Sequence, residues 1–445
     1  MTFNPHTAED RQAMLEAIGV FSIDGLFEPV PPDIRFPALN LPPALTEMEA
    51  ASRLQSLATA NRSSADGDTF LGAGSYSHFI PATVGQILSR GEFYTAYTPY
   101  QPEVSQGTLQ VIYEFQSMVA ALYGMEVANA SMYDGATALA EGALIPVSAS
   151  RKRRRIVVAG TVHPSYREVL RTYTVGLAVD LVELPIPAEG FVTRVEDVLP
   201  HLGDDLASLV VQYPSFFGGI EDVASLAVAA HDAGGALVVC AYPVPLGLLR
   251  SPGELGADVV AGEGQALGVA QSFGGPYVGL LATRQSYVRQ MPGRLAGLTS
   301  DAEGKRGFVL TLQTREQHIR REKATSNICT NQGLMATAAT VYMATLGPAG
   351  FREVAERCFQ NAHYLADRIS SLLGYRTALG APFFHEFVVQ TPKPAAWANE
   401  RLAASGIIGG LDLAVVDASL DHHLLLCATE LNGKESIDRL VAALS

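Results

Sequence analysis

Short strand-like runs alternate with helical stretches through the middle of this chain, and this alternation constrains its fold more than any other feature. The strand-like runs are β-rich and cover residues 156–159, 177–184, 208–213, 236–240, 258–261 and 277–283. Helical stretches separate several of them, at residues 164–173, 195–202 and 222–233. Alternation of this kind predicts an α/β fold in which helices cover both faces of a mostly parallel sheet. In such sheets, ligands bind at the carboxyl ends of the strands.

The segments on either side of this alternation predict two further parts of the chain. At the N-terminal end, Thr7 begins one short helix, Thr46 and Glu49 form a capping-box pattern for another, and a proline-rich connector lies between them. At the C-terminal end, strand-like runs at 386–390 and 424–428 are mixed with helices. The predicted division is an N-terminal arm at 1–65, a large sheet domain at 66–347 and a small C-terminal α+β domain at 348–445.

The composition is that of a folded, acidic protein. Apolar residues make up 48% of the 445 residues and charged residues 17%, which excludes a disordered chain. The net charge of −14 disfavours nucleic acid and anionic membrane as partners, because both would repel such a surface. The four cysteines are widely spaced and the histidines show no ligand spacing, so we expect reduced thiols, no metal site and a cytoplasmic location.

Polar and aromatic side chains are concentrated among glycines between residues 70 and 142. The segment YTPYQPEVSQG, stiffened by two prolines, carries the main candidate site residues: Tyr97, Tyr100, Gln101, Glu103 and Gln106. These residues either pack against a neighbour or present polar groups as the wall of a substrate site, and spacing alone leaves both interpretations open. Asn327 and Asn331 are weaker candidates, and His78 is the histidine best placed to lie near a site.

Four motifs in a fixed order carry a resemblance to a known family: YTPYQPEVSQG, SMYDGATALAEG, SFGGPYVG and REKATSNICTNQ. Together they resemble the glycine decarboxylase P-protein of the glycine cleavage system, and more narrowly the alpha subunit of its split bacterial form. The resemblance covers nearly the whole chain. It implies the fold of type I pyridoxal-phosphate enzymes, and a similar beta subunit that carries the cofactor lysine. It also implies a complex that takes glycine, releases CO2 and passes the aminomethyl group to the lipoyl arm of the H-protein.

A working pyridoxal-phosphate site in this fold needs a lysine amine, an acid for the pyridinium nitrogen and an anion cradle for the phosphate. None of the five lysines lies between Lys152 and Lys305, and Ala266 stands where the resemblance would place the lysine. Cys240 ends the strand that would carry the acid. Asp134 precedes the helix that would cradle the phosphate, and its expected role is to cap that helix itself. We therefore predict that this chain binds no cofactor covalently.

The resemblance and these three losses together predict subunit 1 of glycine dehydrogenase (decarboxylating). Its expected partners are a pyridoxal-phosphate-bearing beta subunit in an α2β2 heterotetramer, lipoylated H-protein and glycine, with no nucleic acid and no membrane. Two alternatives stay open: an autonomous pyridoxal-phosphate enzyme, with Lys305 or Lys323 as the suspects, and a catalytically dead scaffold. The basic cluster at 151–155 is expected to be a solvated loop, with a docking patch for an acidic protein as the minority hypothesis.

Overall fold

The computed structural model describes residues 5–64, 66–324 and 326–445, and the chain forms two units that divide after Arg62. The first unit contains α1 (Ala8–Ile18) and α2 (Glu47–Thr59). Both helices begin at the predicted residues, and the predicted capping box at Thr46 is confirmed: the hydroxyl of Thr46 accepts from Glu49 N. Thr7 also forms a capping box, in which its hydroxyl accepts from Asp10 N. None of the described residues of this unit is buried, so its helices form no core of their own.

The second unit is built around a seven-stranded sheet. Three helices precede the main run of strands: α3 (Ala82–Leu88), α4 (Gly91–Tyr94) and α5 (Gln106–Tyr123). The run itself is β1 (Val127–Ala128), α6 (Gly135–Ala149), β2 (Arg155–Val158), α7 (Pro164–Thr174), β3 (Asp180–Glu183), α8 (Val195–Val198), β4 (Leu206–Tyr213), α9 (Val223–Asp232), β5 (Ala236–Ala241), β6 (Val259–Glu263) and β7 (Gly279–Thr283).

The sheet has the strand order β1-β7-β6-β5-β4-β2-β3. Strands β6, β5, β4, β2 and β3 are parallel, and β7 runs antiparallel to both of its neighbours. The predicted α/β class with a mostly parallel sheet is therefore confirmed. All residues of β5, β6 and β7 are buried, which explains why these strands read as continuous apolar runs.

Helix α6 packs directly on the centre of this sheet because its inner face is made of small residues. A Cβ atom at Gly142 would lie 3.3 Å from Val259 Cγ1 and 3.4 Å from Leu281 Cδ1, which is tighter than ordinary van der Waals contact. The close approach fixes the position of the N-terminus of α6 at the carboxyl ends of the strands. It thereby sets the geometry of the cleft described below.

The rest of the chain forms a hairpin, a long helix and a small sheet. The elements are β8 (Leu295–Ser300), β9 (Arg306–Thr311), α10 (Gln317–Arg320), α11 (Gly333–Ser370), β10 (Arg376–Thr377), β11 (Glu386–Gln390), α12 (Ala395–Ala404), β12 (Leu411–Asp412), β13 (His423–Cys427) and α13 (Lys434–Leu444). The small sheet is antiparallel in the order β10-β11-β13-β12. The boundary predicted at residue 347 falls at a kink inside α11, where Gly347 has φ 58°, and the division at that point stays a prediction.

The hairpin of β8 and β9 was not predicted, and two glutamines of α5 explain why it forms. Gln116 accepts a hydrogen bond from Ala296 N (2.9 Å) and donates one to Ala296 O (3.0 Å). Gln106 does the same with the backbone of Phe308, at 2.8 Å in each direction. These amides satisfy backbone groups at the edges of both strands, and this tertiary contact leaves no signal in the local sequence.

Helix α11 is, among the described residues, the one helix long and apolar enough to cross a membrane. It is bent at Gly347, and its apolar side chains Ala355, Cys358, Leu365 and Ile369 are fully buried in the protein core. These features are typical of a core helix in a globular protein. The expectation that no membrane is involved stays a prediction.

Candidate functional site

A cleft of about 380 Å³ lies at the carboxyl ends of the parallel strands. Its walls come from the loop before α3, the N-termini of α6 and α7, the end of β6 and the loop before β7. The polar and aromatic lining residues are Ser75, Tyr133, Asp134, His163, Ser165, Tyr166, Glu263, Tyr277 and Gln332. This is the edge of the sheet at which an α/β fold places its ligands.

The N-terminus of α6 points its free backbone N–H groups at this cleft, and two carboxyl groups of the chain itself accept them. Asp134 is the N-cap, and its Oδ1 accepts a hydrogen bond from Thr137 N at 2.8 Å. Glu263 Oε2 accepts one from Gly135 N, also at 2.8 Å. An anion at this helix end would have to compete with both carboxyl groups for these N–H donors.

Glu263 is held firmly in that position. Its other oxygen, Oε1, accepts hydrogen bonds from Gln265 N (2.9 Å) and Val278 N (3.2 Å), so three backbone donors converge on one side chain. Burial raises the pKa of Glu263 to about 7 despite these donors, and the nearby Asp134 carboxylate adds to the rise. The chain therefore places its own acidic group at the helix end that was expected to cradle a phosphate.

Ala266 and Cys240, the two other positions that the sequence analysis compared with a cofactor site, are also unsuited to bind the cofactor. Ala266 is 1% exposed and packs in an apolar cluster with Val244, Ala355, Cys358 and Phe384. Cys240 lies near the end of β5, where burial raises the pKa of its thiol to about 12. A thiol with that pKa stays neutral near pH 7. Neither side chain lines the cleft, and no lysine among the described residues does so.

His163 forms one wall of the cleft, and sequence reasoning missed it. Its Nε2 lies 3.0 Å from Ala73 O, and its Nδ1 accepts from Ser165 N at 3.1 Å. The ring stacks on Tyr166 with centroids 4.5 Å apart, and burial lowers the pKa of His163, which favours the neutral ring. The available signal was its position, because it caps α7, the helix that follows the parallel strand β2.

The predicted loop residues lie away from the cleft. Tyr97 and Tyr100 are 78% and 64% exposed, and Gln101 and Glu103 are exposed as well. The guanidinium of buried Arg294 lies 5.7 Å from the ring centroid of Tyr100 and holds the base of the loop. Large aromatic side chains with this much solvent exposure, on a loop stiffened by proline, are suited to contact another protein.

Gln106 has a different environment from the other predicted loop residues. Its amide is already occupied by the backbone of Phe308 and by Pro102 O, which is 2.7 Å away. It therefore joins α5 to the hairpin and has no free amide group to present to a partner.

The two predicted asparagines also differ from each other in exposure and in hydrogen bonding. Asn327 is exposed, whereas Asn331 is half-buried and donates from Nδ2 to Ala130 O at 2.9 Å. Neighbouring residues make similar ties: Ser326 Oγ donates to Glu141 Oε1 (2.7 Å), and Gln332 N donates to Ser131 Oγ (3.0 Å). Asn331 therefore helps to hold the segment that brings Gln332 to the cleft.

Comparison with known proteins identifies the family. Residues 1–444 match the family model described as "Glycine cleavage system P-protein". The chain belongs to this family. A "Probable glycine dehydrogenase (decarboxylating) subunit 1" from Thermomicrobium roseum is 62% identical over 444 residues, which cover 100% of this chain and 99% of the relative.

Comparison with solved structures supports the same family assignment. One described as "Crystal structure of glycine decarboxylase (P-protein) of the glycine cleavage system, in inhibitor-bound form" matches with a TM-score of 0.92 and 44% identity, covering 100% of this chain and 99% of that one. A sphingosine-1-phosphate lyase from Burkholderia pseudomallei matches with a TM-score of 0.66 at 16% identity, covering 93% and 94%, which shows the fold alone. The fold is that of type I pyridoxal-phosphate enzymes, as predicted.

Membership of the P-protein family implies that the reaction uses pyridoxal phosphate and the lipoyl H-protein. The residues in this chain's own cleft do not fit that cofactor. The helix N-terminus is occupied by Asp134 and Glu263, the strand end carries the neutral thiol of Cys240, and Ala266 has no amine.

The basic cluster at 151–155 is only partly the expected solvated loop. Arg153 Nη1 donates to Leu206 O and Ala233 O, and Arg154 Nη1 donates to Val147 O and Ser150 O, so both cap the ends of helices. Arg155 pairs with Asp180 and Asp205. Arg151, Lys152 and Arg154 are exposed, as expected of a solvated loop, whereas Arg153 and Arg155 are half-buried; three of the five cationic groups are used within the chain.

Proposed function

We propose that this chain is subunit 1 of glycine dehydrogenase (aminomethyl-transferring, decarboxylating). In this proposal a second subunit carries pyridoxal phosphate and decarboxylates glycine, and lipoylated H-protein receives the aminomethyl group. The observation that carries the proposal is the occupied N-terminus of α6, where Glu263 and Asp134 accept N–H groups that a phosphate would need. A chain of this family with such a cleft contributes to the reaction without performing the covalent steps.

The exposed tyrosine loop is the proposed contribution of this chain. Tyr97, Tyr100, Gln101 and Glu103 lie on a backbone stiffened by proline and held by Arg294, so they lose little freedom when a partner binds. They would help to orient the substrate and exclude water at the partner's site. An α2β2 heterotetramer and a cytoplasmic location complete the proposal, and the four free thiols agree with a reducing compartment.

Reconstitution tests this division of labour. The purified chain alone should show no absorption from bound pyridoxal phosphate and no glycine-dependent exchange of CO2. Mixing it with the second subunit and H-protein should restore the exchange at an equimolar ratio of subunits. Full exchange by the second subunit without this chain would support a catalytically dead scaffold instead.

An experiment on the isolated chain also tests the remaining alternative, an autonomous pyridoxal-phosphate enzyme. Borohydride treatment in the presence of pyridoxal phosphate should leave no specific adduct on this chain. A stoichiometric adduct on Lys305 or Lys323, together with activity of the chain alone, would identify an autonomous enzyme and overturn the proposal.

A further inference from the structure

Three side chains with metal-ligating atoms converge from distant parts of the sequence. His78 lies in the loop before α3, Cys358 in the middle of α11, and Glu430 after β13. Glu430 Oε2 is 2.7 Å from His78 Nδ1 and 3.3 Å from Cys358 Sγ, and the ligand atoms of all three lie within 4.8 Å of one another. The side chains of His78 and Glu430 are 2% and 8% exposed, and Cys358 is fully buried.

These atoms form the kind of ligand set that zinc prefers. Zinc binds imidazole nitrogen, thiolate sulfur and carboxylate oxygen in tetrahedral geometry at about 2.0–2.3 Å, which places its ligand atoms roughly 3.3–3.7 Å apart. The observed separations of 2.7 Å, 3.3 Å and at most 4.8 Å lie near that spacing, so small side-chain shifts would complete the site. One thiolate and one carboxylate would also balance the charge of a divalent cation, which removes the main cost of burying it.

The groups around the three ligands are arranged as an outer shell. Tyr242 Oη lies 2.5 Å from His78 Nε2, the ring nitrogen that faces away from Glu430. Glu430 Oε1 accepts a hydrogen bond from Phe79 N at 2.7 Å. A hydrogen-bond partner on the far nitrogen of histidine fixes its ring and tautomer, as is usual at metal sites.

A second observation points to the same region. His385 is 3% exposed, and neither ring nitrogen has a hydrogen-bond partner among the described residues. Its ring stacks on Tyr242, with centroids 5.0 Å apart and planes 12° from parallel. Burial and the neighbouring His78 lower the pKa of His385, so a neutral imidazole with an unused lone pair packs beside the cluster.

We propose that His78 Nδ1, Cys358 Sγ and Glu430 Oε2 bind one zinc ion. On binding, the Cys358 thiol releases its proton to solvent, and His78 binds as neutral imidazole whose Nε2–H donates to Tyr242 Oη. The ion joins the loop before α3, helix α11 and the segment after β13 at one point. The site is separate from the cleft and independent of the proposed catalytic role.

Metal titration of the full chain tests the proposal. Cobalt(II) added to EDTA-treated protein should bind at one equivalent and produce the near-ultraviolet absorption of a cobalt–thiolate bond, which zinc should abolish. Zinc should also raise Tm, by roughly 2–5 °C at saturating concentration. Tyr242→Phe should weaken binding by about 10- to 100-fold, because it removes an outer-shell partner.

Cysteine variants provide the matched controls. Cys358→Ser should abolish the cobalt–thiolate absorption, whereas Cys240→Ser, which also replaces a buried thiol, should leave it unchanged. Failure to bind one equivalent of cobalt, or an unchanged cobalt spectrum in Cys358→Ser, would overturn the site. If Cys358→Ser does not fold, Glu430→Gln decides in its place, and wild-type cobalt affinity in that variant would overturn the site equally.

Discussion

At the scale of single residues, buried carboxyl groups set much of this chain's chemistry. Burial raises the pKa values of Glu141, Glu221, Glu263 and Glu386 to about 7. Two of them have clear structural functions: Glu263 closes the helix N-terminus at the cleft, and Glu386 accepts from Tyr76 Oη (2.8 Å) and Ala73 N (2.6 Å). Because a carboxyl group accepts several donors in a small volume, it can replace a bound anion in such a place.

Glu221 provides a test of how these groups affect stability. Its Oε1 accepts from Thr161 Oγ1 and Thr193 N, whereas its Oε2 has no partner among the described residues. The pKa is about 7 in the folded chain and 4.5 ordinarily, so between these values the folded state keeps a proton that the unfolded state has lost. The contribution of Glu221 to the free energy of unfolding is therefore fully present below pH 4.5. It is lost as the pH rises to about 7, and the loss is on the order of 3 kcal/mol.

We predict that Glu221→Gln removes this share of the pH dependence. Urea unfolding at pH 5 and pH 8 should show a smaller loss of stability in the variant than in the wild type. Glu168→Gln, at an exposed position on α7, is the control and should keep the wild-type dependence. Equal pH dependence in Glu221→Gln and the wild type would contradict the assignment.

At the scale of elements, side-chain amides decide how the hairpin of β8 and β9 packs on α5. We predict that Gln106→Ala costs about 1–3 kcal/mol, because it leaves the N–H and the carbonyl of Phe308 without their partner. Hydrogen exchange at Phe308 N should become faster than in the wild type, and urea unfolding should measure the loss.

Gln110→Ala is the matched control for this prediction. Gln110 lies on the same helix, but among the described residues its amide bonds only Glu114, one turn further along. The control should leave exchange at Phe308 N unchanged. Unaltered exchange in Gln106→Ala as well would mean that the hairpin is held by its apolar contacts alone, among them those of Phe308 with Leu109 and Ile112.

At the scale of the whole molecule, much apolar surface stays uncovered. None of the described residues of the first unit is buried, and Phe21 is fully exposed. In the second unit, Tyr97, Tyr100 and Val104 are exposed within one short segment. Exposed apolar groups in this number are typical of chains that assemble with another subunit.

We predict that Tyr97→Ala weakens binding to the second subunit without changing the stability of this chain alone. An aromatic anchor at an interface contributes about 2 kcal/mol or more, so Kd should rise at least about 30-fold. Titration calorimetry would measure Kd, and thermal unfolding would check stability. Leu373→Ala removes another exposed apolar side chain, 98% exposed, and should change neither quantity.

The elements were predictable where their signals are local. The capping boxes of Thr7 and Thr46 need only neighbouring residues, and the parallel strands need only apolar runs between helices. The hairpin escaped prediction because its edges are satisfied by Gln106 and Gln116, far away in sequence. The stacking of His163 on Tyr166 at the cleft is a contact that no spacing reveals, and only the position of His163 before α7 was a local signal.

The sequence by itself determined the fold class and the family, and it determined that the middle of the chain has no lysine amine. These properties depend on residue identity and order. Only the tertiary structure decided that Glu263 occupies the N-terminus of α6, that Gln106 is used internally, and that His78, Cys358 and Glu430 meet. Each of these is a contact between groups separated by more than 70 residues, and packing alone brings such groups within hydrogen-bonding distance.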